Sequence, residues 1–343
     1  MIKKSFKYLF YLLLSYAVLC LITPFNKTLR NRSIKNQINY LSEILDRGYD
    51  NKLQRKFPEG KLFSNCILAL STIEYCANNL IIDEKYASIV DNCIKRIQSE
   101  KALSIFDAHL TPKYGMFYNG WTNYVYSKYK DSPLFDSSNL QNQIIEQSSI
   151  IEERLSATLN DSLRLLNTYV DASWPADNLI GLVSLSDQQL KQKWSNAILN
   201  STDHPSGLIH HSGSAASTIR GSSSAMLTFC LSSSGYEDIE TYADQHKKIF
   251  IDNFLGILLV KEHEDGSNQM DVDSGPVVFG YGASATIMNI KTQANLGNSQ
   301  SKYTWAAMNF IAFPVHLFKH KYYLLKKEPM LDLFMLWSCV ELS

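Results

Sequence analysis

Apolar positions in this chain recur at intervals of three and four far more often than at two, a spacing that predicts helix after helix. Over residues 61–80, Leu62, Ile67, Leu68, Leu70, Ile73 and Cys76 lie on one helical stripe. Asp83 is placed to cap the next helix, whose stripe is Tyr86, Ile89, Val90, Cys93 and Ile97. A longer helix is predicted to open at Asp136 or Ser137 and run to Thr158. Further helices are expected over 178–185, 218–231, 239–258, 276–296, 303–318 and 330–340. Pro276 fits a first helical turn, where a missing N–H is harmless. Strand signals are thin: few runs alternate cleanly, and no Asn-Gly turn separates two that do. Only 117–125, short and aromatic, reads as extended.

The loops at 113–121, 169–177, 201–220 and 262–275 fall between helices and collect most of the Gly, Pro, Trp and His. Paired helices with loops gathered on one face enclose a pocket there. The loops share no repeated signature and no capping repeat is evident, which favours a closed α/α toroid over an open solenoid.

The first residues behave differently. Lys3, Lys4 and Lys7 precede an apolar run over 8–23 that ends at Pro24. That run is just long enough to cross a bilayer, is longer than a signal-peptide core, and lacks a small-x-small cleavage site. It predicts a retained signal anchor over 1–25 (one transmembrane helix), a linker and first helix over 26–55, and the helical domain over 56–343. A buried helix of the globular domain is the alternative. Lys27, Arg30, Arg32 and Lys35 follow the run, so basic residues flank both ends. The expectation is a single-pass inner-membrane protein with a periplasmic body.

Composition narrows the classes. The 343 residues are 45% hydrophobic and 19% charged, too apolar for disorder. Thirty-three basic and thirty-three acidic residues give zero net charge, so no basic field exists to hold nucleic acid. Six cysteines stand far apart with no CxxC, which argues against a disulfide framework or a zinc site. No GxSxG, Walker A or HExxH motif occurs, and no cofactor or metal is expected.

The candidate chemistry sits in the loops. Glu59, in Phe57-Pro-Glu-Gly60, is either a helix-start carboxylate favoured by the dipole or a pocket carboxylate. Tyr118 and Trp121 offer apolar area, Tyr118 with a polar tip; core packing explains them equally well. In Trp174-Pro-Ala-Asp-Asn178, Pro175 starts a helix with Asp177 and Asn178 in its first turn. Capping explains Asp177; the sharper reading makes Trp174 a stacking platform and Asp177 a catalytic acid. His210 and His211 are adjacent and cannot both face one metal, but histidine is the natural acid/base near neutral pH. Arg220 is placed to bind an anionic group or to pair with a loop carboxylate. Asp273, ahead of Gly275-Pro276, is either a helix capper or a catalytic carboxylate, with Asp271, Glu264 and Asp265 crowding its loop.

Taken in order, Phe57-Pro-Glu-Gly60, Tyr114-Gly-Met-Phe-Tyr-Asn-Gly-Trp121, Trp174-Pro-Ala-Asp-Asn178, Pro205-Ser-Gly-Leu208, Arg220-Gly-Ser-Ser223 and Asp273-Ser-Gly-Pro276 resemble a known pattern. The chain is similar to bacterial membrane-anchored α/α-toroid proteins related to linalool dehydratase-isomerase, and to the six-hairpin glycosidase fold, over roughly residues 55–340. The resemblance implies an all-α (α/α)6 barrel with a central loop-lined cavity and cofactor-independent acid/base chemistry, either lyase/isomerase or glycosidase-like. Asp273 and Asp177 would then be the proton-transfer pair. Glu59, Tyr118, Trp121, Trp174, Asn178, His210 and Arg220 would hold a small-molecule, glycan or lipid-like substrate. The competing expectation is a non-catalytic envelope protein that binds glycan or lipid.

Overall fold

A computed structural model describes residues 2–200, 205–214, 218–271, 274–324 and 329–342; the side chains of 2–6, 9 and 12 also lie outside the description. The described chain is mainly α-helical. Its helices are α1 (Ile2–Ile22), α2 (Lys27–Asp46), α3 (Tyr49–Lys56), α4 (Gly60–Asn79), α5 (Glu84–Ile97), α6 (Glu100–Leu103), α7 (Gly115–Lys130) and α8 (Gln141–Asp161). They continue with α9 (Pro175–Ser184), α10 (Gln188–Asn200), α11 (Gly221–Ser234), α12 (Ile239–Phe250), α13 (Ala283–Asn295), α14 (Gln300–Ile311) and α15 (Pro329–Val340). Three two-stranded antiparallel hairpins complete it: β1 (Ile251–Phe254) with β2 (Ile257–Val260), β3 (Val277–Val278) with β4 (Tyr281–Gly282), and β5 (Pro314–Leu317) with β6 (His320–Tyr323).

Two kinds of helix are distinguishable by what they bury. α5 buries one stripe, Tyr86, Ile89, Val90, Cys93, Ile94 and Ile97, as a helix with one wet face does. α2 does the same with Ile34, Ile38, Leu41 and Leu45. By contrast α4, α7, α9, α11 and α13 bury residues on every side, including Ser64, Asn65, Ser71 and Thr72 of α4. Small and apolar residues all round a helix mark one enclosed by neighbours. The packing follows: α4 lies against α7, α7 against α9, α9 against α11, α11 against α13, α13 against α15, and α15 back against α4. The one-striped helices cover them, α5 on α4, α8 on α7, α10 on α9, α12 on α11, α14 on α13, and α2 on α15 and α4. Phe63 of α4, Trp121 of α7, Phe229 of α11 and Trp337 of α15 meet ring to ring in the middle, and the buried Lys291 of α13 sits 4.7 Å from the Trp337 ring.

Close approach between α7 and α9 depends on two glycines. A Cβ on Gly120 would come within 3.0 Å of the Asp177 carbonyl oxygen, and one on Gly181 within 2.4 Å of Met116. A Cβ at Gly120 would press on the backbone of α9, whereas one at Gly181 would require only the end of the Met116 side chain to shift.

Several predicted elements differ. The segment 117–125 is not extended but lies inside α7. The helix expected over 239–258 ends at Phe250, where Ile251–Phe254 pairs with the apolar run Ile257–Val260 around Leu255-Gly256, both with positive φ. The helix expected from Pro276 starts only at Ala283, because 277–282 form a hairpin with Phe279-Gly280 at its tip, both with positive φ. The one expected over 303–318 stops at Ile311, and Pro314 opens β5. α10 was not anticipated at all. At the N-terminus α1 is helical, as the apolar run predicts; among the described residues no helix is long and apolar enough to cross a membrane. Its last turns pack on α14, with Cys20 buried and its carbonyl accepting from Asn309 Nδ2 at 3.2 Å.

Candidate functional site at the N-terminal helix ends

The loops that open α4, α7, α9, α11 and α13 touch one another, so five helix N-termini share one end of the molecule. The loop before α9 is the hub. Thr168 and Tyr169 both donate their N–H to the Ala172 carbonyl, folding 168–172 into a tight turn with Asp171 at a positive φ. Met116 N–H, in the first turn of α7, donates to Asn167 O at 3.0 Å. Gly115 runs so close beneath that a Cβ there would lie 2.1 Å from Thr168 O, at a φ of 71° that also favours glycine.

This turn holds two of the predicted carboxylates. The Tyr169 hydroxyl donates a short hydrogen bond to Glu59, which precedes α4. The Thr168 hydroxyl donates to Asp177 Oδ2 at 3.0 Å, in the first turn of α9. Adjacent residues on one loop therefore fix Glu59 and Asp177, which reach it from different helices. Pro175 occupies the first position of α9, as its sequence implies, and Trp174 before it is extended. The Trp174 ring stands edge-on to Tyr169 at 5.7 Å, and Phe106 stacks on Tyr169 at 6.4 Å. The charge of Asp177 reaches inward to Cys230 of α11, whose thiol is pushed up by burial first and by Asp177 second.

Asn178, Tyr118 and Trp121 sit deeper. Asn178 is fully buried and used up by backbone: Oδ1 accepts from Leu166 N, while Nδ2 donates to Leu166 O and Trp174 O. That pins the α8–α9 loop to the start of α9. Tyr118 packs on Phe106 and Tyr114, and burial pushes its hydroxyl up to about 12, with Arg154 opposing. Trp121 lies between Phe63, Phe117 and Trp337 and belongs to the interior.

A second cluster opens α11. Gly213 N–H donates to Ser173 O at 2.8 Å, so the loop before α11 leans on the loop before α9. Arg220 is the residue before α11 and is buried. Its guanidinium pairs with Glu262 at 2.7 Å and, in a forked contact, with Asp271 at 2.6 and 3.0 Å. The carboxylate-pairing role weighed from the sequence is thus present. Burial works against the guanidinium charge, but the Asp271 hydrogen bond and the Glu262 charge outweigh it, and the Arg220 pKa is raised. Glu262 is fully buried; Oε1 accepts from Ser222 and Arg220 while Oε2 has no hydrogen-bond partner among the described residues. Burial raises its pKa, and Ser222 and Arg220 pull it back only in part. Glu262 carries no local signal: it follows the apolar run Ile257–Val260 and Lys261, and nothing there marks a turn inward.

His211 lies against this second cluster. Its Nδ1 is 2.5 Å from Ser223 Oγ and its Nε2 is 3.3 Å from Arg220, which only donates. Nε2 must therefore accept, which leaves the proton on Nδ1, pointing at Ser223. Ser223 receives a hydrogen bond and is not activated as a nucleophile. Burial and then the Arg220 charge push the His211 pKa down to about 4, so the ring is neutral near neutral pH. His210, its neighbour, is half-buried on the same loop.

Asp273 lies outside the described residues. Around it, Asp271 accepts from Ser274 N at 2.8 Å, and Gly221 N donates to Glu262 O at 2.9 Å, while Glu262 N donates to Gly280 O. These bonds tie the start of α11 to the β3–β4 hairpin before α13. Among the described residues no group of three or more His, Cys, Asp or Glu is placed to hold a metal ion.

The opposite helix ends carry a cavity of about 240 Å³, bordered by Glu74, Asn78, Lys128, Asp131, Ser132 and Glu341. There Lys291 pairs with Glu74 at 2.9 Å and Glu341 at 2.6 Å.

No family model matches the chain, and no curated protein matches it.

Proposed function

We propose that the chain is a membrane-anchored, cofactor-independent acid/base enzyme on an (α/α)6 toroid, acting at the mouth formed by the N-terminal helix ends. The carrying observation is that Glu59 and Asp177, far apart in sequence, are held by the adjacent residues Thr168 and Tyr169. The cyclic packing order of α4, α7, α9, α11, α13 and α15 supports the toroid reading. So does the layer of one-striped helices outside them.

In this reading the substrate is a small uncharged alcohol or glycan lying on Trp174. Asp177 protonates the departing oxygen, and a second carboxylate accepts the proton from carbon, or activates the incoming water. Asp273 is the proposed second carboxylate, since Asp271, two residues away, is fixed by Arg220. Glu59 and its Tyr169 partner orient the hydroxyl. Arg220 organises the mouth through Glu262 and Asp271 instead of touching substrate. Two carboxyl groups in unlike surroundings are suited to opposite proton-transfer roles. α1 holds the protein in the inner membrane, with its body on the periplasmic side.

The test is turnover by the detergent-solubilised full chain of a tertiary isoprenoid alcohol and of oligosaccharides, followed by product mass. Asp177→Asn should lower turnover by about 100-fold or more with the melting temperature retained. Full turnover in both Asp177→Asn and Glu59→Gln would sink the assignment. Ligand retained without turnover, and lost in Trp174→Ala, would establish a binding protein instead.

A further inference from the structure

One side of the molecule gathers exposed apolar residues from several elements. The apolar residues that α1 leaves exposed include Leu13, Leu14, Val18, Leu19, Leu21 and Ile22. This surface continues onto the body. The Tyr16 ring lies 5.0 Å from Phe313 and 6.4 Å from Phe310, and its hydroxyl donates to Pro314 O. Phe25, just after α1, meets Tyr303 of α14 edge-on at 4.9 Å. Tyr303 in turn lies beside Gly256 at the β1–β2 tip, where Leu255 is 87% exposed. Phe310 and Ile311 of α14 are exposed along the same stretch, Ile311 by 58%. Large apolar residues at a hairpin tip and on the outer side of a helix gain nothing from water.

Charge singles out the same segments. Residues 1–42 and 274–327, which supply α1, α2 up to Ser42, α14 and the β5–β6 hairpin, contain no Asp or Glu; the last turn of α2 adds Glu43, which pairs with His320, and Asp46, which pairs with Arg96. They carry exposed Lys7, Lys27, Arg32 and Lys35 and half-buried Lys302. The whole chain is neutral, so the remaining segments are net acidic. Asp252, the acid nearest the Leu255 tip in sequence, is paired with Lys261 at 3.2 Å and with the Tyr281 hydroxyl at 2.9 Å. An apolar surface beside segments rich in exposed cations matches an anionic lipid interface, where acyl chains meet acidic headgroups.

We infer that the body itself rests on an anionic bilayer through Phe25, Tyr303, Phe310, Ile311, Phe313 and the Leu255 tip, beside the inserted α1. This rests on the membrane-anchor reading and adds a fixed pose. The helical domain is held against the lipid along α14, not tethered at a distance. A substrate that partitions into lipid would then reach the mouth along the surface.

The test uses the full chain in vesicles of phosphatidylcholine with and without phosphatidylglycerol. The six native cysteines are buried, so a fluorophore can be placed selectively on Leu255→Cys, Ile311→Cys and, as control, Ile145→Cys of α8. The labels at 255 and 311 should lose iodide quenching and gain quenching by brominated lipid, more strongly with phosphatidylglycerol, while the label at 145 does neither. Flotation with vesicles while 255 and 311 stay as open to iodide as 145 overturns this pose and leaves the anchor reading standing. Failure to float overturns both. Loss of iodide quenching without bromolipid quenching means that protein, such as a second copy of the chain, covers the face, and also overturns it.

Discussion

Replacing Arg220 by Met tests the physics of the second cluster directly. The side chain neutralises two carboxylates in very different settings. Glu262 has no exposure and one oxygen without a partner among the described residues, whereas Asp271 is half exposed. Losing the Asp271 contact costs under about 1 kcal/mol, because water screens it. Losing the Glu262 contact leaves an uncompensated charge in the interior, for about 3–5 kcal/mol. Against a typical total of roughly 5–15 kcal/mol, that removes a large part of the stability. The cost depends on pH with a defined sign. The Glu262 pKa is already raised in the fold, so between the unfolded and folded values the native state binds more protons. Its contribution to stability therefore falls as pH rises through that window. Without Arg220 the folded value climbs further, so the deficit is larger near pH 7 than near about pH 5. Urea unfolding followed by circular dichroism at both pH values measures it. The double variant Arg220→Met/Glu262→Gln should recover much of the loss. A deficit below about 1 kcal/mol, or one that does not shrink in acid, would refute the reasoning.

Three further outcomes follow from the geometry. Asn178→Ala strips three hydrogen bonds from the α8–α9 loop and should cost about 1–3 kcal/mol in urea unfolding. Gly221→Ala puts a Cβ 1.8 Å from Lys261 O and should cost about 3 kcal/mol or more, whereas the open Gly235→Ala costs about 1. Burial and the Arg220 charge hold the His211 pKa down to about 4, against an ordinary value of 6.5, so the unfolded chain binds the extra proton and stability rises with pH across that interval. His211→Gln should flatten that rise in thermal melts, and an imidazole resonance of the parent protein titrating near 6.5 would contradict the burial argument.

Much of the helical plan was legible because burial leaves a period. The stripes of α4 and α5, the Asp83 cap and Pro175 at the first position of α9 follow from local rules, and all are present. The hairpins were not legible. Ile251-Asp-Asn-Phe254 shows no clean alternation and Ile257–Val260 is a short apolar run, and such segments read equally as the tail of a helix. Pro276 satisfied a helix-start rule yet precedes a hairpin instead, since the rule describes what a first turn tolerates and not where one occurs.

The site divides the same way. Trp174, Asp177, Glu59 and Arg220 were singled out because Pro and Gly mark the turns before helices, and those turns lie at one end. Spacing alone could not tell which of these side chains face a mouth and which are consumed by packing. Asn178 and Trp121 looked like their neighbours in sequence, but one is spent on backbone and the other on the interior. Glu262 carried no mark, because its importance comes from Arg220, 42 positions away.

By itself, then, the sequence determined the helical class, the loops that carry polar chemistry and the apolar N-terminal helix, since periodicity, turn residues and long apolar runs act within a few positions. Only the tertiary structure decided that Thr168 and Tyr169 hold Asp177 and Glu59 together, that Arg220 is spent on Glu262 and Asp271, and that the acid-free segments lie side by side. Those outcomes depend on contacts between residues distant in the chain, which desolvation and close packing select and local propensity does not encode.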